Sequence, residues 1–136
     1  MNKIELCEKA VKAMQNAYVP YSGFKVGAAL VCSDGTVFTG CNIENASFTP
    51  TVCAERTAVF KAVSEGRRDF TMIAVCGGKD GKINGMFPPC GVCRQVLAEF
   101  CPSDFPVLLV TGENEFRELK LCELLPFSFN PDYMSD

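Results

Sequence analysis

A chain of 136 residues with 48% hydrophobic and 21% charged content has the composition of an ordinary globular protein, and we expect one domain over residues 1–136. At that length about two-thirds of the unfolded surface is buried on folding, so the core needs no disulfide staples. The net charge of -3 and the scatter of the 13 Lys and Arg residues argue against a nucleic-acid partner, which wants a basic stripe, and no apolar run reaches membrane-spanning length.

The stretch Met1-Asn2-Lys3-Ile4-Glu5 lacks the apolar core of a signal peptide, so a cytoplasmic location is expected. Nine cysteines then read as metal ligands, catalytic groups or small buried residues and not as disulfides. Cys7, Cys32, Cys41, Cys76, Cys101 and Cys122 are widely scattered, which favours burial. Histidine is absent, which removes imidazole bases, His-based triads and every zinc motif that needs a His.

Ile4, Cys7, Val11, Met14 and Tyr18 recur at steps of three and four, predicting a core helix from about Lys3 to Ala17, stopped before Pro20. Tyr21-Ser22-Gly23-Phe24 is a turn into a strand over Lys25 to Cys32. Ser33-Asp34-Gly35 signals a hairpin, with the return strand over Thr36 to Gly40. Cys41 to Phe48 is polar and turn-prone. It is either a loop that binds a polar ligand or a plain Asx-rich connection. A helix from Val52 to Glu65 stops at Gly66, beyond which Arg67 and Arg68 suit the last helical carbonyls. Phe70 to Cys76 is an apolar run of the kind that forms a strand covered on both faces. Asp80 to Pro89 is a loop, and Gly91 to Cys101 a helix with Val92, Val96, Leu97 and Phe100 on one side. Pro106 to Val110 is a second buried strand, Phe116 to Leu119 an edge strand, Leu121 to Leu125 a helical turn, and Pro126 to Asp136 irregular. A hairpin followed by alternating helices and strands predicts an α/β three-layer α-β-α sandwich around a mixed sheet of about five strands.

Two stretches carry chemistry. Cys53-Ala54-Glu55-Arg56 opens the second helix, and Pro89-Cys90-Gly91-Val92-Cys93 opens the third. Three thiolates with one free carboxylate form the inventory of a catalytic zinc site, which has three protein ligands, an open position and a general acid/base beside it. Three thiolates on one zinc leave a net negative charge. Two helix N-termini offset it and lower the thiol pKa values, and Arg56 and Arg94 stand near enough in sequence to donate to sulfur. Taken alone, each signal has a bland alternative. A single C-x-x-C is equally a redox pair or half of a structural zinc site, Glu55 is equally a carboxylate that suits a helix N-terminus, and Arg56 is equally a solvated surface residue. Inside a helix, positions i and i+2 do not share a face, so Cys53 must cap its helix for Glu55 to meet the same centre.

The chain resembles the small homotetrameric cytidine deaminases over nearly its whole length. The resemblance runs through Val19-Pro20-Tyr21-Ser22, Phe24, Val26-Gly27-Ala28-Ala29, Asn42-Ile43-Glu44-Asn45-Ala46-Ser47, Cys53-Ala54-Glu55-Arg56, Pro89-Cys90-Gly91-Val92-Cys93-Arg94-Gln95 and Leu124-Leu125-Pro126 with Ser128-Phe129. Zinc deaminases carry an H-x-E…P-C-x-x-C signature, and Cys53 in place of His matches the all-cysteine branch. The resemblance implies one zinc per subunit on Cys53, Cys90 and Cys93, and attack of zinc-bound hydroxide on carbon 4 of cytosine with Glu55 shuttling protons. It also implies cytidine or deoxycytidine as substrate, Asn42 and Glu44 on ribose hydroxyls, Phe24 against the base, and Ala54 offering a backbone hydrogen bond. Phe129 would enter a neighbouring subunit's pocket within a homotetramer. Phe48 departs from the family's usual tyrosine. Two other readings are a blasticidin-type nucleoside antibiotic deaminase and a structural zinc or thiol redox module, the latter needing Cys41 or Cys76 as a fourth ligand.

Overall fold

The computed structural model describes residues 1–134, so the last two residues of the predicted irregular tail lie outside the described ones. Five strands, β1 (Phe24–Cys32), β2 (Val37–Cys41), β3 (Phe70–Lys79), β4 (Pro106–Gly112) and β5 (Glu115–Lys120), form one sheet in the order β2-β1-β3-β4-β5. The pairs β1–β2, β1–β3 and β4–β5 are antiparallel and β3–β4 is parallel, so the sheet is mixed as expected.

Side chains on the inner strands alternate between two apolar layers, because successive residues of a strand point to opposite faces. Ala29, Val31, Ala74, Cys76, Leu108 and Val110 meet α1 (Lys3–Met14) on one face. Val26, Leu30, Ile73, Val75, Val107 and Leu109 meet α2 (Ala54–Ser64) and α3 (Gly91–Phe100) on the other. Both faces are covered, which is why these strands read as continuous apolar runs. A short α4 (Leu121–Leu124) and a 3-10 turn at Pro131–Met134 close the described chain, the latter inside the stretch expected to be irregular.

Several expectations are corrected. Helix α1 ends at Met14, three residues early, because the chain leaves it so that the Tyr18 N–H can donate to the Asn42 carbonyl (3.1 Å). Tyr18 is therefore exposed, and the buried stripe is Leu6, Cys7, Ala10 and Met14. On α3, Val92 points outward and Cys93, Leu97 and Ala98 point in. Arg67 does not serve helical carbonyls with its side chain; it pairs with Asp34 and Asp69 beside the β1–β2 turn. Among the scattered cysteines only Cys7, Cys32 and Cys76 are buried, Cys41 and Cys101 are partly so, and Cys122 is exposed.

Two tight approaches set the helices on the sheet. A Cβ at Gly27 would collide with the Ala10 carbonyl of α1. A Cβ at Gly40, on β2, would lie 2.5 Å from the Ala54 carbonyl and 2.6 Å from the Ala58 nitrogen. The second approach seats the N-terminus of α2, which carries Cys53. Gly40→Ala therefore has to lift α2 off the sheet. We expect it to cost at least the ~1–3 kcal/mol typical of overpacking and to weaken metal retention, both readable by thermal melts with and without a chelator. An unchanged melting temperature would contradict this packing.

Candidate metal centre and active site

The start of β1 and the ends of β2 and β3 lie together at one end of the strands, since Phe24 pairs with Lys79 and Gly27 with Cys41. Beyond the ends of these strands the chain enters α2 and α3, and open α/β sheets bind ligands in such a crevice. Cys53 is the N-cap of α2 (φ -78°, ψ 158°) and Cys90 the N-cap of α3 (φ -68°, ψ 168°). Neither thiol caps its own helix by a side-chain hydrogen bond, so both sulfurs are free to point elsewhere. They converge with Cys93 from the first turn of α3: the three sulfurs lie within 4.8 Å of one another, with Cys53 and Cys90 at 3.5 Å.

The capping demand on Cys53 is thus met, and Glu55 enters the same centre from the first turn of α2. Its side chain is 3% exposed, and Oε1 is buried without a hydrogen-bond partner. A buried unpartnered carboxylate oxygen is costly unless something occupies the space beside it. Burial pushes the Glu55 carboxyl up to about 7, into the range where a carboxylate exchanges protons at neutral pH. The cluster also favours a thiolate at Cys53. The Cys93 S–H and the Arg56 guanidinium (Nη2 to Sγ, 3.4 Å) hold the Cys53 thiol down at about 5, while Cys93, which keeps its proton in that arrangement, is pushed up. Three sulfurs at metal-ligand spacing, a cation on one of them and an orphan carboxylate oxygen form a donor set that fits a divalent, thiophilic metal with one position left open. Cys41 and Cys76 are not in the cluster among the described residues, so the fourth sulfur that a structural site requires is missing.

Beside the cluster lies a cleft of about 260 Å³ lined by Phe24, Asn42, Cys53, Glu55, Phe87 and Cys90 among others. Asn42 clips β2 to β1: Oδ1 accepts from the Val26 N–H (2.8 Å) and Nδ2 donates to the Phe24 carbonyl (2.9 Å). Glu44 does not line the cleft. Its carboxylate accepts from the Tyr21 and Ser22 N–H groups (3.0 and 3.1 Å) and from the Ser22 hydroxyl, and these hydrogen bonds hold its pKa down. Ala54 is fully buried at the first position of α2. Phe129 is 61% exposed, stacks on Tyr133 and has its carbonyl fixed by the Gln95 amide (2.7 Å). Phe48 is 85% exposed and makes no part of the cleft.

One expectation about an arginine fails, and two residues take roles that the sequence did not assign them. Arg94 does not donate to sulfur. Its guanidinium bridges the Pro89 carbonyl and the Leu124 carbonyl, both at 2.7 Å, tying the segment before Cys90 to the end of α4. Phe87, within what reads in sequence as a featureless loop, stands in the cleft wall, and Ser22 is the partner that braces Glu44. Phe87 has no motif, and Ser22 stands in the Val19-Pro20-Tyr21-Ser22 block without a role of its own; only the packing of distant segments reveals what each does.

The model of the cytidine and deoxycytidylate deaminase zinc-binding region matches residues 1–109. This chain belongs to that family. A cytidine deaminase of Halalkalibacterium halodurans is 50% identical over 136 residues, covering all of both chains. One of Sporosarcina psychrophila is 47% identical, covering 99% of this chain and 96% of its own. The crystal structure of cytidine deaminase from Burkholderia pseudomallei superposes with a TM-score of 0.87 at 46% identity, covering 95% of this chain and all of that one. The family's zinc-binding region and the Cys53, Cys90 and Cys93 cluster agree in kind, and the deaminase fold is the sandwich described above.

Arg94 offers a test within this family frame. Because it fixes the backbone on which Cys90 sits, Arg94→Ala should release zinc to a chromophoric chelator about tenfold faster, with Arg94→Lys restoring part of the loss. Equal release rates in Arg94→Ala and the parent protein would remove Arg94 from the account.

Proposed function

We propose that this protein hydrolyses cytidine and 2'-deoxycytidine to uridine and 2'-deoxyuridine with release of ammonia, as a single-domain enzyme of cytoplasmic pyrimidine salvage. The observation that carries this reading is Glu55, a buried carboxylate with an unpartnered oxygen beside three convergent cysteine sulfurs at the wall of a nucleoside-sized cleft. A structural zinc site or a thiol redox pair has no use for that carboxylate, and relatives at about half identity carry the cytidine deaminase name.

Cys53, Cys90 and Cys93 would hold zinc, which when bound supplies a Lewis-acidic open position that brings the pKa of water to about 7. Arg56, donating to Cys53, tempers the negative charge of the three thiolates. Glu55 accepts a proton from the attacking water as its oxygen bonds to cytosine carbon 4, and passes that proton to ring nitrogen 3. It then takes the remaining hydroxyl proton and gives it to the amino group as the C–N bond breaks, leaving a carbonyl at carbon 4 and free ammonia. Asn42 has one N–H and one lone pair left after clipping the strands, which suits a ribose hydroxyl. Glu44 keeps one lone pair, on Oε2, beyond its three donors for the same purpose. Phe24 packs against the base, and Ala54 offers the N–H of a first helical position, one of the donors no helix satisfies internally.

Phe129 completes the site of a neighbouring subunit in a homotetramer. Its exposure and its anchored carbonyl support that assignment: the backbone is held, and the ring, stacked on Tyr133 on one side, keeps its exposed surface for another chain.

Two measurements follow. Glu55→Ala should retain about one zinc per chain and lose roughly 10²–10⁴-fold in turnover of cytidine; wild-type turnover in that variant would remove Glu55 from the proton path. Mixing Glu55→Ala chains with Phe129→Ala chains under conditions of subunit exchange should restore part of the activity that each lacks. No recovery, despite proven exchange by mass spectrometry, would place Phe129 outside the partner's site.

A further inference from the structure

The cleft beside the thiol cluster is lined from two elements: Glu55 comes from helix α2, and Phe87, Pro88 and Cys90 come from the segment leading into α3. Cytosine carbon 4 has two ring neighbours, nitrogen 3 and carbon 5. A base with nitrogen 3 toward Glu55 turns carbon 5 toward the remaining wall of the cleft, which includes Phe87. We propose that Phe87 is a specificity-determining residue that walls the C5–C6 edge of the pyrimidine and limits what substituent carbon 5 can carry. This inference rests on the reading of the protein as a cytidine deaminase.

The position of the ring is built into the sheet. On β3, Gly77 is paired with Val26 of β1, and both project toward the face that carries the site. A Cβ at Gly77 would lie 2.8 Å from two carbons of the Phe87 ring, so the missing side chain is the space the ring occupies. Phe87 thus substitutes for a strand side chain in the apolar layer while remaining partly exposed to the cleft. It stacks on Phe24, with ring centroids 6.3 Å apart and planes inclined by 28°. The Lys79 ammonium lies 5.2 Å from the Phe24 centroid and donates to the Ser22 carbonyl (3.0 Å), which fixes the other end of the aromatic pair. A ring held by a glycine seat and a neighbouring stack cannot swing aside cheaply, because interiors are close-packed. An apolar edge of the base, with no hydrogen bonds to offer, suits that wall.

The test compares cytidine with 5-methylcytidine on the zinc-loaded enzyme, in the parent protein, Phe87→Ala and Phe87→Leu. A single methyl group against a hydrophobic wall is worth roughly tenfold or more in kcat/KM. Phe87→Ala should raise the ratio of kcat/KM for 5-methylcytidine over cytidine by about that factor, and Phe87→Leu, which preserves most of the core volume, by less. The ratio of Kd for uridine and 5-methyluridine, measured calorimetrically, should move in the same direction without any turnover. If both variants lose activity on both substrates by one common factor and the Kd ratio stays constant, Phe87 is only packing and the inference is overturned. A parent protein that leaves cytidine untouched would instead overturn the proposed function.

Discussion

Everything distinctive in this structure depends on two helix N-termini meeting at one end of the sheet's strands. Cys53 caps α2 and Cys90 caps α3, and neither spends its side chain on its own helix. Three anionic sulfurs packed within 4.8 Å would repel one another strongly in isolation. The partial positive charge at each helix start, roughly half a unit before screening, and the Arg56 guanidinium offset part of that repulsion, and without a metal the Cys93 thiol keeps its proton. The sheet exists, in functional terms, to hold those two helix starts in register. The absent side chain of Gly40 lets α2 approach closely enough, and the two carbonyl contacts of Arg94 hold the entry to α3.

The same geometry decides which side of the centre is open. Cys93 is fully buried, whereas Cys53 and Cys90 border the cleft together with Glu55. A reacting group approaching along the cleft therefore meets the sulfurs and the carboxylate at once. The low-dielectric surroundings that raise the Glu55 pKa to about 7 also keep it from acting as a solvated helix-start carboxylate. Burial is the largest cause of that shift, and the charge on Cys53 adds to it.

The local parts of this fold were legible in the sequence because they rest on local rules. Apolar runs of strand length, the Ser33-Asp34-Gly35 turn and the stops at Gly66 and Pro102 all lie where the sheet, hairpin and helix ends are found. The need for Cys53 to cap its helix followed from the i, i+2 spacing of Cys53 and Glu55, and the backbone there is extended as required. What stayed hidden depends on contacts between distant segments. The buried stripe of α1 is set by which residues face β1 and β3, so Tyr18 joins the pattern in sequence yet lies outside the helix. Arg94, near a ligand in sequence, is turned toward carbonyls at Pro89 and Leu124 because α4 passes there. Phe87 had no visible role until Gly77 was seen to leave its place empty on the neighbouring strand.

The central claim is that three cysteine sulfurs, and no fourth protein ligand, hold the metal with one position open beside Glu55. X-ray absorption at the zinc edge on the purified, zinc-loaded protein tests it most directly. The account predicts three sulfurs at about 2.3 Å and one lighter oxygen or nitrogen neighbour at about 2.0–2.1 Å. Four sulfurs around the zinc, or a spectrum unchanged when Cys53 is replaced by serine, would contradict it.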